Sequence, residues 1–147
     1  MSKTKSLHHI VFATKHRKPT IPVDNKRELY AYIFGIIKNK RCFLLRMNGV
    51  EDHIHILVDI NPTVALADLV KEMKRCSSQW ANGNPKFPLF EGWGDGYYAV
   101  SLGVNDVESC KRYIIGQEEH HRHVELKNEM HEMAEENQLE WYPDDWV

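Results

Sequence analysis

The sequence predicts an α+β domain of ferredoxin-like topology, in which strands and helices alternate as β-α-β-β-α-β and further helices follow. Three observations predict it: apolar positions alternate in the strand segments, they recur every three or four residues in the helical segments, and turn-forming residues separate the two kinds. The 147 residues have the length of one domain, so we expect residues 1–147 to form a single unit. In this topology both helices cover one face of an antiparallel sheet, and we expect the other face to be free for chemistry.

The first half of the chain supplies three strands and one helix. Residues 6–14 are apolar and partly β-branched, and the charged residues 15–19 end this first strand. Asp24 can cap a helix that ends near residues 38–40. Residues 42–47 and 53–60 predict a hairpin whose turn is Asn48-Gly49, a strong turn dipeptide.

The second half supplies one more strand and the remaining helices. Pro62 and Thr63 open a helix that the turn-forming residues 82–85 close. Residues 97–102 predict the fourth strand, and Asn105 or Asp106 caps a helix running to about residue 121. A last helical stretch over residues 126–137 precedes an aromatic tail over residues 141–146.

Composition restricts the class of protein. With 42% hydrophobic and 27% charged residues, the chain resembles an ordinary globular protein, and no apolar run approaches a membrane span. The polar, basic start lacks the apolar segment of a secretory signal. The three cysteines, Cys42, Cys76 and Cys110, are far apart and odd in number, which favours buried thiols in a reducing compartment. We therefore expect a cytoplasmic protein without a membrane partner.

Charge is distributed unevenly around the formal net value of −2. Residues 1–82 hold 14 Lys and Arg against 7 Asp and Glu, whereas residues 83–147 hold 5 against 14. The densest basic cluster contains Lys15, Arg17 and Lys18, and such a patch can contact a phosphate backbone without reading its sequence. A solvated basic loop is the alternative interpretation.

His53 and His55 form the first candidate site. In a strand, side chains two residues apart lie on the same face, so both imidazoles point one way and Ile54 points the other. Two imidazoles can bind one metal ion and leave coordination positions open. Asp52 either orients a histidine or is an ordinary carboxylate at the end of a turn.

Tyr113 and Gln117 form the second candidate site. Their i, i+4 spacing places the phenol and the amide on one face of a helix. Gly116 between them costs roughly 1 kcal/mol of helix stability relative to alanine, which suggests close approach by another backbone or by a ligand. His120 and His121 follow one turn later, and we expect them at a solvated helix end.

Together these segments resemble one family over nearly the whole chain: the single-tyrosine transposases of small insertion sequences, including their relatives associated with repetitive extragenic palindromes (REP). The family is called HUH-type after a histidine, bulky hydrophobic, histidine motif, which His53-Ile54-His55 matches. The blocks that carry the resemblance occur in the family's order: residues 9–12, 14–19, 48–50, 52–57, 69–71, 77–80, 96–101 and 113–121.

The resemblance implies a function and a role for each candidate residue. His53, His55 and Gln117 would bind a divalent metal, Mg²⁺ or Mn²⁺, although imidazole chemistry alone also suits zinc or copper. Tyr113 would cut single-stranded DNA at hairpin ends through a covalent 5′-phosphotyrosine link and later rejoin it, with no nucleotide cofactor. The resemblance also implies a homodimer, in which Tyr113 serves either its own site or that of the partner subunit.

Two other functions remain open from the sequence. A non-catalytic module could bind single-stranded nucleic acid on an open sheet face, as a domesticated or inactive transposase would. A small zinc hydrolase would need further ligands, which only His120, His121 and His123 could supply.

Overall fold

Four strands and five α-helices make up the chain in the computed structural model, which describes residues 1–121 and 124–142. The elements are β1 Leu7–Ala13, α1 Lys26–Asn39, β2 Phe43–Val50, β3 His53–Asp59, α2 Leu66–Ala81, β4 Tyr98–Leu102, α3 Val107–Ile115, α4 Gln117–His120 and α5 Leu126–Glu136, with 3-10 turns at Lys15–Arg17 and Val104–Asp106. The predicted order β-α-β-β-α-β, followed by further helices, is confirmed.

The four strands form one antiparallel sheet in the order β2-β3-β1-β4. β1 lies in the middle and pairs with both β3 and β4, so that Val11 lies opposite His55 on one side and Tyr98 on the other. This pairing brings residues from both ends of the chain onto one sheet surface.

One sheet face carries the main hydrophobic core. Ile10 and Phe12 of β1, with Ile54, Ile56 and Val58 of β3, are buried there. They pack against the buried stripes of the two long helices: Leu29, Ile33 and Ile37 of α1, and Leu69, Val70 and Met73 of α2. The expectation that α1 and α2 cover the same face is confirmed.

The opposite face, predicted to be free, is covered by the C-terminal helices. Val11 and Tyr98 pack there against Leu126 and Met130 of α5, while the Asn48 side-chain amide donates hydrogen bonds to two carbonyl groups at the end of α3. The prediction that this face is open was wrong. The apolar side of α5 is stabilised by burial, and α1 and α2 already cover the first face, so α5 packs on the second. Of the predicted aromatic tail, Trp141 joins this cluster and residues 143–146 lie outside the described residues.

The β2–β3 turn lies three residues later than predicted. Glu51 and Asp52 form it, and Val50 pairs with His53 across its base. Gly49 is instead inside β2, where a Cβ atom would lie 2.2 Å from the carbonyl oxygen of His53. The glycine is therefore explained by close approach of β3, not by turn geometry.

The predicted third helix is interrupted. α3 ends at Ile115, Gly116 has φ −82° and ψ 10°, and α4 begins at Gln117. A glycine lowers helix stability at this position, and the helix is interrupted there, so that α4 is a separate short helix. Tyr113 and Gln117 consequently belong to two different short helices.

The predicted helix starts are less accurate than the helices themselves. Asn25, not Asp24, precedes α1, and Asp106 precedes α3, but neither side chain makes a capping hydrogen bond. α2 begins only at Leu66, because Thr63 instead hydrogen-bonds the Asn61 side chain in a turn.

Two expectations from composition can be checked directly. All three cysteines are free thiols, but only Cys42 is buried, whereas Cys76 and Cys110 are partly exposed. Within residues 1–121 and 124–142, no helix is long and apolar enough to cross a membrane.

Substituting Gly49→Ala tests the close approach of β2 to β3. The added methyl would overlap the His53 carbonyl, so we expect a loss of about 3 kcal/mol in the free energy of unfolding, measured with urea. Gly35→Ala is the matched control, because Gly35 lies in α1 with no atom within 4 Å of an added Cβ, and we expect it to stabilise the protein by up to about 1 kcal/mol. Equal stability of the two variants would contradict this account of Gly49.

Candidate active site

His53 and His55 lie on the sheet face that α3, α4 and α5 cover. Both are fully buried, with a relative exposure of 0%, and they lie opposite Ala13 and Val11 of β1. Their shared direction follows from strand alternation, as predicted. Their burial was not predicted, and it requires that each polar ring nitrogen find a partner.

Asp52 orients His53. Its carboxylate lies 2.7 Å from Nδ1 of His53, and since an ionised carboxylate only accepts hydrogen bonds, Nδ1 carries the proton. The Asp52 backbone carbonyl is itself held by the amide and hydroxyl of Thr14. This contact supports the first of the two roles considered for Asp52.

His9 of β1 contacts His55 in the same buried layer. Its Nε2 lies 2.8 Å from Nδ1 of His55, and the two rings stack at a centroid distance of 5.1 Å. Burial lowers the pKa of His9 to about 3 and that of His55 to about 4, so both rings are neutral near pH 7. The sequence did not single out His9, because its approach to His55 depends on the β1–β3 register.

Tyr113 reaches the histidine pair from α3. Its ring centroid lies 5.6 Å from that of His55, and its hydroxyl donates a short hydrogen bond to the carboxylate of Glu129. Burial, followed by the negative charge of Glu129, raises the pKa of Tyr113 above its ordinary value. In this environment the phenol is protonated.

Gln117 joins Tyr113 and His53. Its Oε1 lies 3.1 Å from Nε2 of His53, and its amide nitrogen donates to Oε2 of Glu129 at 3.1 Å. It is fully buried, with a relative exposure of 0%. The two segments singled out in the sequence are therefore brought together in space.

Glu129 is the residue that sequence reasoning missed. It is 2% exposed and lies at the centre of the site, where it contacts Tyr113, Gln117 and the histidines. Burial alone would raise its pKa, but the contacts with the His121 and His55 side chains hold that pKa well below its ordinary value. The available signal was a carboxylate on the buried stripe of α5, between Leu126 and Met130.

His120 and His121 do not form the solvated helix end that was expected. Nε2 of His121 lies 3.0 Å from Oε1 of Glu129, and Nε2 of His120 lies 3.0 Å from Oε2. Burial would lower the pKa of His121, but its hydrogen bond to Glu129 raises it. His123, the third histidine considered for a zinc site, lies outside the described residues.

The donor atoms of this site fit a metal ion. One nitrogen or oxygen from each of His53, His55, His121 and Glu129 lies within 4.8 Å of all the others. Nε2 of His55 is buried and lies 3.3 Å from Oε1 of Glu129, but it makes no well-aligned hydrogen bond to any described residue. A bound cation would satisfy that nitrogen, and imidazole and carboxylate are ordinary ligands of divalent ions.

The basic residues lie beside this site on the turn Lys15–Arg17 and just after it. Lys18 pairs with Glu91 at 3.7 Å on the surface. A cleft of about 340 Å³ is lined by Arg17, Asp52 and His121, and the buried Nε of Arg17 has no hydrogen-bond partner among the described residues. The cleft links the basic segment to the histidine cluster.

Sequence comparison identifies the family. The family described as "Transposase IS200 like" matches residues 2–117, well over half of the chain. The transposase of insertion sequence element IS200 from Salmonella typhimurium is 28% identical over 103 residues, which cover 67% of this chain and 68% of the relative. The ISDra2 transposase TnpA from Deinococcus radiodurans is 24% identical over 115 residues, which cover 75% of this chain and 82% of the relative.

Solved structures share the fold. A transposase from Deinococcus radiodurans has a TM-score of 0.62 at 22% identity, covering 79% of this chain and 93% of that one. A REP-associated tyrosine transposase bound to a REP hairpin has a TM-score of 0.64 at 14% identity, covering 84% of this chain and 76% of that one. At these identities the likeness concerns the α+β fold with its four-stranded antiparallel sheet. Together with the match over residues 2–117, these relatives show that the chain belongs to the IS200-like transposase family.

Proposed function

We propose that this transposase cuts and rejoins single-stranded DNA with Tyr113 as its nucleophile. The observation that carries the proposal is the contact of the half-buried Tyr113 ring with His55, beside the buried pair of Gln117 and His53. The two segments are far apart in the sequence: 64 positions separate His53 from Gln117. Strand pairing and helix packing both have to be correct for the four side chains to meet.

His53, His55 and Gln117 would hold a divalent ion, Mg²⁺ or Mn²⁺. When bound, the ion would polarise the phosphoryl group and neutralise charge that develops on its oxygens. Asp52 contacts Nδ1 of His53 at 2.7 Å, which orients the ring so that Nε2 faces the site. Burial keeps His55 neutral, and a neutral imidazole binds a cation without first losing a proton.

Tyr113 would perform the covalent step. Its oxygen forms a bond to phosphorus, the bond from phosphorus to the 3′ oxygen breaks, and the DNA remains attached through a 5′-phosphotyrosine link. The phenol loses one proton and the departing 3′ oxygen gains one. Because one phosphodiester replaces another, reversal by a 3′-hydroxyl rejoins the strand without ATP.

The substrate would be single-stranded DNA that carries a hairpin. The REP-associated relative is described as bound to a REP hairpin, and this chain has the same fold. The cleft lined by Arg17 and His121 supports an entry route for a phosphate backbone, since it joins the basic segment to the histidine cluster.

A non-catalytic nucleic-acid-binding module is the alternative. Such a module binds through aromatic side chains on an open sheet face, whereas here the corresponding face is covered by α3, α4 and α5. Nucleic-acid binding on that face would need exposed side chains. His53, His55, Gln117 and Glu129 are all buried there, which favours the enzyme.

The substitution Tyr113→Phe tests the nucleophile, because it removes only the hydroxyl. Wild-type protein incubated with Mn²⁺ and a hairpin-bearing single strand should form a covalent adduct visible on a denaturing gel, and the variant should form none. Tyr97→Phe is the control, since Tyr97 is exposed and outside the site. An adduct of wild-type yield with Tyr113→Phe would refute the role of Tyr113.

A homodimer is part of the proposal, with each Tyr113 serving its own site. Support for action within one chain comes from Tyr113 lying against His55 of the same chain. Mixing Tyr113→Phe with His55→Ala should therefore yield no adduct, whereas action on the partner's site would restore it. Light scattering at micromolar concentration checks the dimer, and circular dichroism checks that His55→Ala is folded.

The basic segment should contribute non-specific backbone contacts. Neutralising Lys15→Gln is expected to weaken binding equally for different sequences and to lower the slope of log affinity against log salt by about 1. Lys38→Gln is the control, since Lys38 lies at the exposed end of α1 on the other side of the sheet. Loss confined to one DNA sequence, with an unchanged slope, would show that Lys15 reads bases.

A further inference from the structure

We propose that Glu129 of α5 is a metal ligand of this site, together with His121, and that the same carboxylate positions the Tyr113 hydroxyl beside the ion. The inference rests on the proposed function only in assuming that a divalent ion binds to this histidine cluster. It concerns residues beyond the family match, which ends at residue 117. It therefore adds a second, C-terminal set of ligands to the site.

Possible ligand atoms converge on Nε2 of His53. Its Nδ1 lies 2.7 Å from the carboxylate of Asp52, so that Nε2 is the ring nitrogen that faces the site. Nε2 lies 3.1 Å from Oε1 of Gln117 and 3.6 Å from Oε1 of Glu129. A metal ion bound among these atoms would hold all three, because imidazole nitrogen, amide oxygen and carboxylate oxygen are ordinary ligands of divalent ions.

The spacing of the donor atoms suits ligands of one ion. Oε1 of Glu129 lies 3.0 Å from Nε2 of His121, 3.3 Å from Nε2 of His55 and 3.6 Å from Nε2 of His53. With metal–ligand bonds of roughly 2.0–2.2 Å, neighbouring ligands are about 3.0–3.5 Å apart. The observed separations thus need little rearrangement for coordination.

The two oxygens of Glu129 face different groups. Oε1 faces the three histidines that converge on the candidate ion. Oε2 accepts the hydroxyl of Tyr113 and the amide of Gln117. One carboxylate can therefore coordinate through one oxygen and hold the nucleophile with the other.

The charge of Glu129 supports the same conclusion. At 2% exposure, a carboxylate is stable in ionised form only with a compensating charge. Among the ion pairs of the described residues, Glu129 contacts only histidines and no Lys or Arg. A divalent ion bound here would add positive charge directly beside this carboxylate.

The ligand set also predicts the ion. Imidazole nitrogens outnumber oxygens in this cluster, and they favour first-row transition ions, whereas Mg²⁺ prefers oxygen ligands and retains its waters. We expect Mn²⁺ to bind at least about tenfold more tightly than Mg²⁺ to the wild-type chain.

The substitution Glu129→Gln tests the ligand role while preserving side-chain size. Calorimetric titration of the full chain with Mn²⁺ should show affinity reduced by about tenfold or more, since loss even of groups behind the ligands costs that much. Glu135→Gln is the matched control, because Glu135 lies on the exposed side of the same helix, 3.3 Å from His131. Its affinity should equal that of the wild type. A Glu129→Gln chain that binds Mn²⁺ within twofold of wild type would overturn the proposal.

A second measurement keeps the test valid if Glu129→Gln unfolds. The visible spectrum of the Co²⁺-loaded protein reports the ligand number, and Glu129→Asp keeps the charge but withdraws the oxygens by one methylene. We expect the Asp variant to change the spectrum and weaken binding. An unchanged spectrum and affinity would mean that only charge matters, and would overturn ligation by Glu129.

The outcome for the proposed function is separate. If wild-type protein forms the Tyr113-dependent adduct while Mn²⁺ affinity does not depend on Glu129, the inference fails and the proposed function stands. If Mn²⁺ affinity depends on Glu129 but no adduct forms on hairpin-bearing DNA, the inference stands and the proposed function fails.

Discussion

The alternation of side chains along β3 is the constraint on which the rest of the structure depends. Ile54, Ile56 and Val58 enter the core beneath α1 and α2, which commits His53 and His55 to the other face. A shift of one residue in strand register would exchange the two sets, burying imidazoles in the apolar core. The stability of the core therefore enforces the position of the histidine pair.

Burial of that pair in turn requires a polar layer in which the groups satisfy one another. Asp52 accepts a hydrogen bond from His53, and His9 is hydrogen-bonded to His55. The carboxylate of Glu129 accepts hydrogen bonds from the Tyr113 hydroxyl and the Gln117 amide. An unpartnered buried polar group costs about 1–3 kcal/mol, so each member depends on the others for its stability. Nε2 of His55, which makes no well-aligned hydrogen bond to a described residue, is one of the candidate metal ligands.

The structure of α5 shows that the acidic residues of the C-terminal half differ in their surroundings. This helix belongs to the acidic half of the chain, but its residues are not equivalent. Glu132 and Glu135 are exposed, whereas Glu129 is buried and contacts four histidines among the described residues. The basic turn around Arg17 lies at the cleft beside this cluster. The net charge of −2 therefore averages over an acidic C-terminal half and a basic N-terminal half, and Arg17 of the basic half lies at the cleft.

The sequence by itself determined the order of the elements, the shared face of His53 and His55, and the resemblance that pointed to Tyr113 and Gln117, because periodicity and motif spacing are local properties. It could not determine the turn at Glu51 and Asp52, since Asn48-Gly49 has the local preference for a turn and only the approach of β3 explains the glycine. Nor could it bring His9, His121 and Glu129 to the site. Those contacts depend on the pairing of β1 with β3 and on the packing of α5 against the sheet, and interactions between distant segments have no signature in local spacing.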